Sequence, residues 1–120
     1  MRIDVAADGA VAIASISGEI DLSDGAQFAD EVLARMPDEC TGLVVDLSEL
    51  RYIDSAGIRS LFEIAAALDR RDQPFALAVP QDSLLRSVLK ITRVEEVASI
   101  CSNRQDALSS VSPASPEART

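Results

Sequence analysis

Apolar and polar residues alternate along Arg2-Ile3-Asp4-Val5-Ala6, the period-two pattern of a half-exposed strand. Asp8-Gly9 is a hairpin turn signal. Val11, Ile13 and Ile16 mark a second strand ending at Ser17-Gly18, with Gly18-Glu19-Ile20-Asp21 as its exit. The period then changes. Phe28, Ala29, Val32, Leu33 and Met36 recur at helical spacing behind an N-cap at Ser23 or Asp24, and Pro37 stops this helix. Gly42-Leu43-Val44-Val45-Asp46-Leu47 is almost continuously apolar, as a strand buried on both faces should be. A loop is expected from Ser48 to Ile53. A long helix follows Asp54-Ser55-Ala56-Gly57, its stripe made by Ile58, Leu61, Phe62, Ala65 and Leu68. Arg70-Arg71 closes it, where the helix dipole favours cations. Pro74 to Val79 predicts a fourth strand. Leu84, Leu85, Val88, Leu89 and Ile91 predict a third core-facing helix, begun near Asp82 or Ser83, with Lys90 as a cation near its end. Val97 to Cys101 reads as a fifth strand. Ser102-Asn103-Arg104-Gln105 reads as a capping box for a last helix carrying Ala107, Leu108 and Val111.

The order β β α β α β α β α predicts an α/β fold. Its mixed sheet has about five strands, an N-terminal antiparallel hairpin followed by alternating strands and helices, with about four helices joined by right-handed crossovers. A length of 120 residues suits one domain, expected over 1–111. Residues 112–120 hold two prolines and no apolar period, and are expected to form a disordered tail. Apolar residues make up 48% of the chain, enough for a core. With three Phe, one Tyr and no Trp that core must be aliphatic, and a base-stacking platform has nothing to be built from.

Charge and missing residue types narrow the function. Eleven bases against 20 acids give −9. Residues 1–50 hold 11 acids and two bases, whereas residues 51–120 hold nine of each. A basic footprint for nucleic acid is lacking, and none is expected as a partner. Histidine is absent, which removes the commonest general base and metal ligand, and with them Ser-His-Asp and Cys-His catalysis. No enzyme activity, metal or cofactor is expected. Met1-Arg2-Ile3-Asp4 opens no signal peptide, and no apolar run approaches a membrane span. The expected setting is therefore cytoplasmic, with Cys40 and Cys101 as packing thiols. Asp46 is expected to be a structural acid near a strand end.

Ser55 stands out. It lies at or beside the N-cap of the long helix, where a hydroxyl ordinarily caps an amide. Gly57 in the first turn costs about 1 kcal/mol against alanine, so close packing or an approaching partner must require it. A phosphoryl group on Ser55 would add about −1.5 to −2 charges at the positive end of a helix dipole, facing amides expected to be free. Asp21 and Asp54 nearby would repel it.

Val45-Asp46-Leu47, Ile53-Asp54-Ser55-Ala56-Gly57-Ile58 and Gly18-Glu19-Ile20-Asp21 together resemble the STAS domain, and within it the bacterial anti-sigma-factor antagonists. The resemblance covers about residues 2–111. It implies that Ser55 is phosphorylated by a partner anti-sigma factor serine kinase. The unmodified protein would bind that kinase and release the sigma factor. The phosphorylated form would not bind, and a serine phosphatase would restore the hydroxyl. Asp21 and Asp54 match the acids that flank the family's site. Ala56, Gly57 and Ile58 are expected to complete the binding surface, on a monomer or weak dimer. Two departures stand out. Ala56 replaces a common Ser or Thr, and Arg93 stands in Lys90-Ile91-Thr92-Arg93-Val94 where relatives often carry Gly. The same core would also suit a STAS subunit of a stressosome-like or lipid-transport assembly.

Overall fold

A computed structural model describes residues 1–20 and 22–112, with side chains at 1–20 and 27–112. The strands are β1 (Arg2–Asp8), β2 (Val11–Ile20), β3 (Gly42–Ile53), β4 (Phe75–Ala78) and β5 (Ser99–Cys101). The helices are α1 (Leu22–Arg35), α2 (Ser55–Arg70), α3 (Leu84–Ile91) and α4 (Arg104–Val111), with a 3₁₀ turn at Val94–Glu96. The sheet runs β1-β2-β3-β4-β5 in chain order. The β1–β2 hairpin is antiparallel and every other pairing is parallel. This is the mixed α/β architecture that the element order predicts.

Side-chain alternation divides the core. Ala12, Ala14, Leu43, Val45 and Leu77 face Phe28 and Val32 of α1, Leu61, Ile64 and Leu68 of α2, and Leu85 and Leu89 of α3. Val11, Ile13, Val44, Ala76 and Ala78 face the other way, under Ala107 and Val111 of α4. Burial on both faces is why β3 begins as an unbroken apolar run.

Several boundaries differ from the sequence expectation. The predicted loop from Ser48 to Ile53 is the second half of β3, paired with a β2 that runs on to Ile20. The ladder shifts register between Ser15 and Ser17 and again between Gly18 and Glu19. These irregularities space the buried residues Leu50 and Ile53 three apart, which breaks the period-two signal. Gly18 meets the distortion with φ +88, a conformation that glycine adopts without strain. Helix α1 begins at Leu22, so Ser23 and Asp24 fall inside its first turn rather than at its cap. Their side chains lie outside the described residues, as do Asp21 and residues 113–120 of the predicted tail. Strand β4 is shorter than Pro74 to Val79, and the 3₁₀ turn pushes the start of β5 back to Ser99. The cap of α4 is Asn103, whose side chain accepts from the Asp106 amide at 2.8 Å, not Ser102. In α3 only Leu85 and Leu89 are buried, whereas Leu84 and Ile91 are 86% and 79% exposed. The stripe predicted as core is thus mostly surface.

Candidate functional site

At the end of β3 the chain turns directly into α2. The Asp54 amide donates to the Ile20 carbonyl at 3.2 Å, which ties the end of β2 to the start of the helix. Asp54 is extended (φ −99, ψ −173) and is the N-cap. Its Oδ1 accepts from the amides of Ala56 at 3.0 Å and Gly57 at 3.1 Å. Its carbonyl accepts from the Ile58 amide at 3.0 Å. The carboxylate therefore does the capping expected of Ser55, and two amides expected to be free are occupied.

Ser55 is the first helical residue and is exposed. Among the described residues its hydroxyl has no hydrogen-bond partner. It stands at the positive end of a 16-residue helix. Asp54 and Ala56 are half-buried beside it, while Gly57 and Ile58 are buried beneath. Gly57 is demanded by packing inside the protein. A Cβ there would stand 2.5 Å from Ile53 Cγ1 and 2.9 Å from Ile20 Cγ2. Ser55, Asp54 and Ala56 thus share an accessible helix mouth, and Gly57 and Ile58 form its foundation. Asp21, the remaining expected site residue, lies outside the described residues.

Asp46 lies within β3 rather than near its end, and is buried on the sheet face that carries α4. Its carboxylate accepts from Ser48 N at 3.0 Å, Ser48 Oγ at 2.6 Å and Arg104 Nε at 2.9 Å. Arg104 Nη2 also donates to Ser15 Oγ at 2.8 Å. Burial pushes the Asp46 carboxyl up, but the Ser48 bonds and the Arg104 guanidinium outweigh burial and hold it below its ordinary value. A fully bonded carboxylate clasping α4 to the sheet fits the structural role expected from the sequence.

The cysteines are both free thiols, Cys40 buried and Cys101 half-buried. Burial first, then the nearby Glu39 charge, pushes the Cys40 thiol up. Among the described residues no cluster of three or more His, Cys, Asp or Glu is placed to hold a metal ion. Nor is any helix there long and apolar enough to cross a membrane.

One feature escaped the sequence reading. Beside the helix mouth, Leu50, Tyr52 and Ile53 of β3 and Leu84, Leu85 and Val88 of α3 line an open groove of about 390 Å³. The available signal was the surplus of apolar residues in α3. Five in eight positions exceed what one buried face takes.

A family model described as "Mlab, STAS domain" matches residues 3–100. The chain is 30% identical over 112 residues to the anti-sigma-F factor antagonist RsfB of Mycobacterium tuberculosis, covering 92% of this chain and 89% of that one. Its fold is similar to that of the Thermotoga maritima protein TM1081, with TM-score 0.80, 19% identity and coverage of 92% and 95%. It is also similar to an anti-sigma factor antagonist from Mycobacterium paratuberculosis, with TM-score 0.77, 23% identity and coverage of 93% and 94%. The chain belongs to the STAS family.

Proposed function

We propose that this protein is an anti-sigma-factor antagonist, a cytoplasmic regulatory binding protein whose single STAS domain spans residues 1–111. Its unmodified form binds an anti-sigma factor serine kinase and thereby releases a sigma factor for transcription. The kinase phosphorylates Ser55 and ends the complex; a serine phosphatase resets it. The observation that carries this reading is the exposed Ser55 hydroxyl at the mouth of α2, without a hydrogen-bond partner among the described residues. The kinship with an anti-sigma-F factor antagonist supports it.

In this reading Ser55 Oγ attacks the γ-phosphorus of ATP held by the kinase. ADP leaves, and the hydroxyl proton passes to a base of the kinase. The chain supplies a nucleophile on a rigid base and no catalytic group. Asp54 already holds the Ala56 and Gly57 amides, so those two donors are not available to the new dianion. A phosphate of about −1.5 to −2 charges then faces the partner surface beside the Asp54 carboxylate. Asp21 matches the other acid that flanks the family's site. Moving a complex from 99% bound to 99% free takes about 5.5 kcal/mol of differential affinity. A dianion buried without a counter-charge supplies an effect of that order.

The test is incubation of the full chain with purified anti-sigma factor serine kinases of the same genome and ATP, followed by intact mass and phosphopeptide mapping. One phosphate at Ser55, none in Ser55→Ala, and weakened kinase binding by Ser55→Glu are expected. A STAS subunit of another assembly would bind its partner alike in all three forms, and that result overturns the switch.

A further inference from the structure

Arg59 stands one helical turn beyond Ser55 on α2. Residues at i and i+4 are neighbours on a helix surface, with Cβ atoms about 5–6 Å apart. Helical side chains also lean toward the N-terminus, so a long one covers the turn before its own. Arg59 therefore leans toward Ser55. It is exposed and, among the described residues, has no hydrogen bond or ion pair. It is also the only base in α2 before Arg70 at the far end. Glu63, its other i+4 neighbour, is exposed and leaves it unpaired. At this spacing an acid placed N-terminal to its base pairs better than the reverse order. That order disfavours Glu63 and favours an anion at position 55.

We propose that Arg59 receives the phosphoryl group of Ser55: once the group is attached, the guanidinium pairs with it across one turn of α2. The inference rests on the Ser55 reading and adds how that site is regulated. Asp54 holds the amides of Ala56 and Gly57, so the new oxygens need another donor. A guanidinium suits them, because its planar fork can bind two phosphate oxygens at once. The pair forms by rotation of an exposed side chain, and the backbone stays where it is. Unmodified, the helix mouth offers a hydroxyl beside a free cation. Modified, it offers neither. The cation is engaged, and a phosphate of about −1.5 to −2 charges keeps about −0.5 to −1 uncompensated. An acid of the partner set against this face loses its counter-charge and meets a net anion in one step.

The test is phosphorus NMR against pH on the full chain with phosphoserine placed at position 55 by chemical ligation. The phosphate's second pKa is ordinarily about 6. It is expected to lie lower with Arg59 present than in Arg59→Gln, by about 0.3 pH unit or more, because a neighbouring cation favours the dianion. Asp21, Asp54 and Glu63 oppose this in both proteins and cancel from the comparison. Arg59→Lys should keep part of the difference, since a point charge remains and the fork is gone. Arg70→Gln, at the other end of α2, should leave the value unchanged. Both arginines are exposed, so the fold tolerates these changes. The Arg59 Nε resonance should also move on modification while that of Arg70 holds still. Equal values with and without the Arg59 guanidinium overturn the proposal. So does an equal change in Arg70→Gln, which would assign the effect to overall charge and not to a pair. No kinase takes part in the measurement. A Ser55 that no kinase modifies therefore leaves the measured pair standing, and failure of the pair leaves phosphorylation of Ser55 standing.

Discussion

Gly57 and Ile53 are packed so closely that the glycine hydrogen occupies the only room between them. A Cβ at position 57 would come within 2.5 Å of Ile53 Cγ1. The contact lets α2 start directly on the ends of β2 and β3, and so fixes where Ser55 emerges.

Gly57→Ala is therefore expected to destabilise the protein by about 1–3 kcal/mol through overpacking. The intrinsic helix gain of about 1 kcal/mol works in the opposite direction. Urea midpoints measure the net effect, and adding Ile53→Val, which shortens the side chain in the way, should recover part of the loss. A stabilised Gly57→Ala protein would contradict this packing.

Asp54 and Ser55 divide two tasks that sequence alone assigns to either. Asp54→Ala should cost about 1 kcal/mol, the usual worth of an N-cap. Ser55→Ala should stay within about 0.5 kcal/mol of wild type, as for an exposed side chain with no partner among the described residues. Equilibrium unfolding of both variants decides, and the reverse ranking would return the cap to Ser55.

The Asp46 clasp predicts an acid-dependent loss of stability. Its carboxyl titrates lower in the folded protein than in the unfolded chain, whose value is about 3.9. The unfolded state therefore takes up the proton first as pH falls. The clasp contributes fully above the unfolded value and is lost as pH drops through the folded one. Asp46→Asn should lower stability at neutral pH by about 1–3 kcal/mol, since Arg104 loses its charged acceptor. It should also flatten the stability profile below about pH 4. An unchanged acid limb in the variant would count against the clasp.

Arg93 carries φ +66 directly after α3, the left-handed region that favours glycine. The conformation costs a non-glycine residue about 1 kcal/mol. Its ion pair with Glu96 at 2.8 Å joins two exposed side chains and offsets little of that. Arg93→Gly is expected to raise stability by about 0.5–1 kcal/mol, read as a higher thermal midpoint. A lower midpoint would mean that the ion pair outweighs the backbone strain.

Cys40 is 2% exposed and its thiol is held above the ordinary value. It should react with a thiol reagent only after denaturant is added, whereas the more accessible Cys101 should label first. Mass mapping of the labelled peptides distinguishes the two, and native labelling of Cys40 would show that its pocket opens.

The sequence made most of this fold readable because its signals were local. Val11 to Ile16, Gly42 to Leu47 and the α2 stripe each carry one clean period, and the burial of Leu61, Ala65 and Leu68 follows from it. The second half of β3 was hidden because its partner is Gly18–Ile20, distant in the chain, and two register shifts break the alternation. The exposure of Leu84 and Ile91 was hidden for another reason. Periodicity shows that a helix has an apolar face, but how wide a face the sheet covers is a tertiary matter. At the site, Asp-Ser-Ala-Gly announced a helix start. Which oxygen reaches the amides depends on Asp54 being extended, and that is set by the hydrogen bond from its amide to Ile20.

The Asp54 cap has a consequence for how any message written on Ser55 travels. The opening turn of α2 is already held by a group of its own chain, so attaching or removing a charge on the neighbouring oxygen leaves the scaffold at rest. Hydrogen-exchange protection of the helix should be the same in both states. The signal then needs no internal relay: it resides wholly in what an outside molecule meets when it arrives.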